Sequence, residues 1–513
     1  FKPVKGLTGK KDTELAKRLE EYKNSLSDAE RQKIVDDTKA LKKYQEELDS
    51  EEALATIPTL SLADIKKEGN KFNYESKDID GVKETCTDMV ANGIVYFTLS
   101  FNADRLPLRL VPALSVLKTF LGYLNTEHYT YGELVNETNI KTGGLSYNTS
   151  VYKKNYDTDN YTYAFEVRTK VLCNQISEAF ELIEETLFTS DFTDKKRIKD
   201  NLEQSKMRIQ VYMMQSGHAV AIGRASSVVS DGSALIEELT GMREYRYIEN
   251  LLKNFDDNFD TLVKELKEVL SILLTKGNLE VFAGADKKGI KLFEGELKRF
   301  LSKLKTDEVV LPAVHFNKAS GNEAFSAAST VQYAAMAGNF KKLGLEYKGS
   351  LQVLRSLLNT DYLWNQVRVL GGAYGCFCSF AANGDTYFAS YRDPKLKDTY
   401  KTFDGIEEFV KDYDGDKEEV ERYIISTIAD YDAPLSPSIK FTKAYTYYMS
   451  GVTNEDKQKE RDEILSTTPA EIRSLAEYIA KIKESKVLSC VGGEEMLKKE
   501  GDVFDKVTPL ITS

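Results

Sequence analysis

The stretch Arg368-Val369-Leu370-Gly371-Gly372-Ala373-Tyr374-Gly375 decides how this chain is read. The residues before it predict a helix over 362–367. The Asn383-Gly384 turn signal after it predicts a β-hairpin with strands 376–380 and 386–391. Between them a glycine pair turns the chain, with one arginine and one tyrosine six residues apart. Glycine permits a sharp turn or a close approach of backbone to a ligand. The arginine and tyrosine are donors of the type that binds carbonyl oxygens or stabilises developing negative charge.

Working outward, the chain reads as one unit used twice. The second copy opens with a strand over 330–338 and a helix over 351–358, then the glycine turn and hairpin. Helices follow over 396–410 and 417–428, and another starts at Thr468-Pro469-Ala470-Glu471, a capping box with Pro at the first helical position. A strand over 487–491 closes it. The first copy runs in the same order: strand 94–101, helix 112–124, a helix around Glu133–Asn136, then Gly143-Gly144, strands 146–152 and 161–167, helices 175–188, 194–214 and 260–274, and strand 279–284. A charged helix over 288–304 leads to a boundary near Leu311-Pro312. The pattern predicts an α+β fold of two homologous domains, 57–312 and 313–513, each a mostly antiparallel sheet with helices on one face. Laying Gly143-Gly144 on Gly371-Gly372 puts Ile140 opposite Arg368 and Ser146 opposite Tyr374. The first copy keeps the turn and lacks both polar side chains. A requirement of the fold would explain the glycines but not the arginine and tyrosine.

Residues 1–56 read as a helical hairpin ahead of these domains. Leu15, Leu19, Tyr22 and Leu26 form one stripe; Ile34, Thr38, Leu41, Tyr44 and Leu48 form another after the capping box Ser27/Glu30. Two single stripes in a charged background cannot make a core alone. At 513 residues the whole chain has room for two or three domains. Its net charge of −11 argues against a nucleic-acid partner. No apolar run approaches the roughly 20 residues of a membrane span. Five scattered cysteines suit a reducing, intracellular compartment. The start at Phe1 rather than Met, with no leader pattern, reads as a processed piece of something longer. The sequons at Asn136, Asn148 and Asn160 carry no weight.

The run Trp364-Asn365-Gln366-Val367-Arg368 through Gly375, with Ser390-Tyr391-Arg392-Asp393-Pro394 and Ala433-Pro434-Leu435-Ser436-Pro437, resembles the C-terminal half of the presequence protease family, a branch of the insulinase-like (M16) zinc metallopeptidases. The resemblance extends over essentially the whole chain, and the hairpin is similar to the family's linker between halves. It implies an enzyme of four homologous domains in two bowl-shaped halves that enclose short unstructured peptides. It implies a zinc cofactor held by an N-terminal half with the inverted zinc motif, on the same polypeptide or a separate one. No counterpart of that motif stands in this sequence, so the chain alone should bind no metal and be inactive. The family's substrate-contacting arginine and tyrosine match Arg368 and Tyr374, with Gly371, Gly372 and Ala373 as the substrate-binding turn between them. The compartment implied is the cytoplasm of a bacterium or an organellar matrix of a eukaryote. Two alternatives stay open: an inert structural relative of the core-subunit type, or a free-standing peptide-binding module.

Other residues have plainer readings. Cys376 and Cys378 share one face of a strand without two further ligands, so packed free thiols are expected. His128 lies five residues before Glu133, the wrong period for two ligands on one helical face, and His218 and His315 stand alone. Trp364 is expected as core packing behind the site, Arg392 and Asp393 as a local charge pair, and Tyr445-Thr446-Tyr447-Tyr448 as core.

Overall fold

The structure, a computed structural model, describes residues 6–46, 50–54, 56–58, 60–306, 318 and 320–512. The expected boundary at Leu311-Pro312, and His315, lie outside the described residues. Residues 1–61 and 62–513 form separate compact units. In the first, helices Leu7–Ser25 and Asp28–Glu46 are joined by a tight turn. Ser27 N–H donates to Glu30 Oε2 (2.8 Å) and Glu30 N–H to Ser27 Oγ (3.3 Å), the reciprocal cap read from sequence. Leu15, Leu19, Tyr22, Ile34 and Leu41 stay about half exposed.

The larger unit holds two six-stranded sheets. The first comprises β1 (Glu75–Ile79), β2 (Val82–Asp88), β3 (Ile94–Asn102), β4 (Leu145–Lys153), β5 (Tyr161–Leu172) and β6 (Leu279–Ala285), in the order β1-β2-β6-β3-β5-β4. The second comprises β7 (Glu323–Ala327), β8 (Tyr333–Asn339), β9 (Gly375–Phe380), β10 (Asp385–Tyr391), β11 (Val487–Gly493) and β12 (Lys506–Pro509), in the order β12-β7-β11-β8-β10-β9. Five strands correspond one to one. The β2–β6 and β7–β11 pairs are parallel, and the rest of those five pair antiparallel. The sixth strand differs in origin: β1 precedes its sheet, whereas β12 comes from the chain's end. Both glycine pairs stand between a helix and the edge strand of their sheet.

Each sheet packs its own helices on one face. In β3 the side chains of Val95, Phe97, Leu99 and Phe101 enter the first core, where Phe97 stacks on Phe180 (5.2 Å) and tilts against Phe293 (4.9 Å). Alternation then turns Tyr96, Thr98 and Ser100 to the other face. That face is covered by the helix Pro437–Ser450 from the second half of the unit, with Phe441, Ala444 and Tyr445 against Tyr96, Tyr152 and Phe282. The Ser436 hydroxyl caps this helix, Pro437 fills its first position and Gly451 (φ 71°) ends it. In return, the helix Gly217–Val229 from the first half covers the second sheet, lying on β8, β10 and β11. Its small residues let it approach closely. Ala221 meets Ala335 and Ala389, and any side chain at Gly217 would collide with Tyr333.

Charged groups are buried at both crossings. Glu166, fully buried on β5, accepts from Tyr152 OH (2.8 Å), Ser150 Oγ (2.7 Å), Arg168 and, from the covering helix, Tyr445 OH. Asp385 on β10 accepts from Lys153 Nζ (2.6 Å), Ser230 Oγ (2.9 Å) and Asn339 Nδ2 (2.9 Å). Burial would raise the Asp385 carboxyl, but the Lys153 charge and these bonds hold it below its ordinary value.

Several elements depart from expectation: strands β1, β2, β7 and β12 are not marked by the sequence pattern, and the helix expected over 112–124 ends at Leu117. Helices Gly217–Val229, Asp231–Thr240 and Met242–Lys253 fill a region given no element by the sequence pattern. The helix expected over 396–410 is two pieces, Lys397–Asp404 and Ile406–Lys411, broken at Gly405. The helix over 362–367 is part of a longer wide-turn segment, described next.

Candidate functional site

The chain leaves the regular helix Ser350–Leu357 through two wide π-type segments, Leu358–Tyr362 and Trp364–Val369. The Leu370 N–H reaches back five residues to Asn365 O (2.9 Å). Single wide turns of this kind cost hydrogen-bond quality and recur at functional sites. Gly372 N–H then bonds Arg368 O (2.9 Å) and Ala373 N–H bonds Val367 O (3.1 Å), which closes the loop on the helix end. Gly371 has no room for a side chain, because a Cβ would collide with the Val367 carbonyl. Gly372 sits at φ 86°, the left-handed region. In the first sheet Gly144 has φ 115°. The glycines are therefore demanded by the turn in both places.

The turn delivers two donors, Arg368 partly buried and Tyr374 exposed. Arg368 sends Nη1 to Tyr374 O (2.8 Å) and makes no ion pair among the described residues. Tyr374 is 64% exposed, and among the described residues nothing satisfies its hydroxyl. Its backbone is fixed instead: Tyr374 N–H donates to Tyr391 O (3.0 Å), and its ring meets Tyr391 edge-on at 6.0 Å. Val369 and Leu370 beside them are 61% and 69% exposed. Ala373, between the two donors, is 3% exposed with its methyl in the core. At the matching positions of the first sheet, Ile140 is exposed and Ser146 Oγ is engaged by Asn148 Nδ2 (3.0 Å).

Edge strand β9 is less open to an added strand than its position suggests. The Cys378 N–H, in the middle of β9, is taken by Asn359 Oδ1 (2.9 Å) from the wide-turn segment. A crevice of about 1080 Å³ opens near the ends of β7 and β11, lined by Ser329, Thr330, Gln332, Glu494 and Met214 among others. Gln332 exchanges two backbone bonds with Asp393, so the crevice adjoins the loop that carries Arg392.

Two family models match the chain: one described as associated with peptidase M16, subfamily C, over residues 1–251, and one as PreP C-terminal domain, over residues 322–493. The chain belongs to subfamily C of the M16 peptidases. This M16 chain is 35% identical to Protein HypA of Clostridium perfringens over 99% of its own length and 52% of the relative's. It is 30% identical to presequence protease 1, chloroplastic/mitochondrial, of Arabidopsis thaliana over 93% of its length and 44% of the relative's. It thus spans about half the length of these relatives. Its fold matches a peptidase M16 inactive domain from Pseudomonas fluorescens (TM-score 0.58, 12% identity, 82% of this chain and 98% of the other). It also matches a protease from Helicobacter pylori (TM-score 0.59, 14% identity, 82% and 100%).

Several side chains of the M16 chain differ from their sequence reading. Trp364 is 42% exposed and lies against Arg368 rather than in the core. Arg392 and Asp393 do not pair: Arg392 lies over the Tyr391 ring, while fully buried Asp393 accepts from Lys395 N–H and Thr399 Oγ1. Arg392 takes a left-handed backbone conformation (φ 49°) just past the end of β10, and this turn separates the two side chains. Tyr445 is core, but as the buried donor to Glu166. The five cysteines are free; burial pushes the Cys376 thiol up to about 11, the mark of a packed, inert thiol. His128 pairs with Glu185 at the surface (3.1 Å). His218 packs between Tyr391 (4.9 Å) and Phe377 (5.5 Å). Among the described residues no group of three or more His, Cys, Asp or Glu could hold a metal ion. Nor is any helix there long and apolar enough to cross a membrane.

One buried acid lies apart from the site. Glu237 accepts from Met242 N–H (3.1 Å), and burial pushes its carboxyl up to about 7 against the pull of Arg224. A folded-state value above the unfolded one contributes stability that is full below about 4.5 and lost as pH rises through about 7. Glu237→Gln keeps the acceptor and removes the ionisation. Its melting temperature relative to the parent should rise between pH 5 and pH 8, by the equivalent of about 3 kcal/mol. A pH-independent difference in thermal unfolding would contradict this.

Proposed function

We propose that this chain is the substrate-binding, non-zinc-binding C-terminal half of a zinc metalloendopeptidase that degrades short unstructured peptides in an enclosed chamber. The observation that carries the reading is the asymmetry between the two sheets. Both have the glycine turn, and only the second carries an arginine and a tyrosine on it, the arginine without an ion pair and the tyrosine hydroxyl without a partner among the described residues. Residues 1–56 are the linker, 57–312 form chamber wall, and 313–513 carry the site. The residues described here do not fit a zinc ion. The metal belongs to an N-terminal half bearing the inverted zinc motif, in a reducing intracellular compartment.

Amide hydrolysis at such a centre builds negative charge on the substrate carbonyl oxygen. Donors held beside that oxygen stabilise the charge more than the ground state. Arg368 remains charged at any working pH and offers a rigid fork of donors. The Tyr374 hydroxyl adds a neutral one. Gly371 and Gly372 keep the turn free of side chains, so an extended peptide can approach. Exposed Val369 and Leu370 give its apolar side chains a surface. Binding through carbonyls rather than side chains is tolerant of sequence, which suits a scavenger of peptides.

The test is complementation. The chain alone should bind no zinc stoichiometrically and cleave no peptide. Mixed with a catalytic half that carries the inverted zinc motif, it should restore chelator-sensitive cleavage. Hydrolysis by the purified chain, with contaminants excluded by mass spectrometry, would overturn the division of labour. Failure of any catalytic half to be activated would favour an inert structural relative.

A further inference from the structure

We propose that Trp364 is a positioning residue for Arg368; the inference rests on the role given to Arg368 above. Trp364 is the only tryptophan in the chain. At 42% exposure it leaves much apolar surface in water, although a core lies directly beneath it at Leu363 and Val367. Packing does not account for that placement. The geometry does. The Arg368 guanidinium carbon lies 4.1 Å from the centroid of the indole and 5.5 Å from that of the Tyr374 ring. One guanidinium nitrogen is clipped to Tyr374 O at 2.8 Å.

Residues four apart on one helical face are neighbours, and on this wide turn Trp364 and Arg368 meet with the guanidinium over the indole. A long arginine otherwise spreads over many rotamers, and a substrate would have to order it on binding. Between two rings and a carbonyl, the side chain is already held, while its remaining N–H groups make no hydrogen bond among the described residues. No carboxylate among the described residues pairs with it, so the charge is kept for the substrate. An acidic partner would have fixed the arginine equally well and quenched it. An aromatic face fixes it without neutralising it.

The experiment is a double-mutant cycle in the complete two-half enzyme, reading kcat and KM separately. Trp364→Ala should lower kcat about 3–10-fold with little change in KM, the order expected for losing a cation–π contact and its ordering. Trp364→Phe should retain most of the activity. In an Arg368→Ala background, Trp364→Ala should cost nothing more. An equal loss in both backgrounds, or Phe no better than Ala, overturns the positioning role while leaving that of Arg368 intact. Wild-type turnover in Arg368→Ala itself overturns the role of Arg368 and this inference with it. The chain by itself gives a second readout, because its fluorescence has a single tryptophan source. Arg368→Ala should raise acrylamide quenching of Trp364 by uncovering one indole face. Unchanged quenching shows that the stack does not exist in solution and overturns the proposal.

Discussion

Replacing Arg368 by alanine in the complete two-half enzyme should lower kcat/KM by about 10²–10³-fold while leaving thermal unfolding unchanged. The size follows from what one preorganised donor to a developing oxyanion is worth. The indifference of stability follows from the structure. Arg368 makes no ion pair among the described residues, and its one hydrogen bond is at the surface. Exposed contacts of that kind contribute little to folding. Tyr374→Phe should behave alike, since it removes only a hydroxyl that nothing in the described residues satisfies. Ile140 and Ser146 are the internal control. They occupy the same place in the first sheet, and their replacement should leave kcat/KM unchanged. Steady-state kinetics with a melting curve for each variant decides the matter. If both variants turn over like the parent, or lose activity only by unfolding, the pair has no catalytic role and the chain is chamber wall.

Glu166→Ala should do the opposite, destabilising the chain by about 3–5 kcal/mol. Four donors converge on this one buried carboxylate: Tyr152, Ser150, Arg168 and Tyr445. Without it, the hydroxyls of Tyr152 and Tyr445 are left in a site closed to water, and the Arg168 charge loses its counterion. Tyr445→Phe removes a single bond and should cost only about 1 kcal/mol. Denaturant midpoints for the two variants measure the contrast. Equal midpoints would mean that water reaches the carboxylate site and that the covering helix is loosely seated.

Glu166 also shows where sequence reading ran out. Along β5, Glu166, Arg168 and Lys170 alternate with Phe165, Val167 and Val171, a pattern that ordinarily means one face in water. Here the polar face is covered by residues nearly 280 positions later, and nothing local announces it. The Gly217–Val229 helix was illegible for a related reason. It is rich in Gly, Ala and Ser and partly buried on several sides, so it lacks an amphipathic stripe. By contrast the Arg368–Gly375 turn was legible because its chemistry is local. Two glycines fix the backbone, and the donors sit on either side within eight residues. What local reading could not give was the wide-turn geometry, and so it sent Trp364 inward. Apolar character alone favours the core, and only the register of the turns places the indole under a guanidinium.

The reciprocal covering of the two sheets bears on how the chain is made. The first sheet is complete once β6 has left the ribosome, but the helix that roofs it lies about 150 residues further on, roughly 10–30 s of synthesis at common rates. During that interval Tyr96, Tyr152, Phe282 and the Glu166 carboxylate face solvent on a sheet that is finished in every other respect. The Glu166 and Arg168 charges on that face thus remain hydrated until the late helix arrives, and only then become part of a buried network.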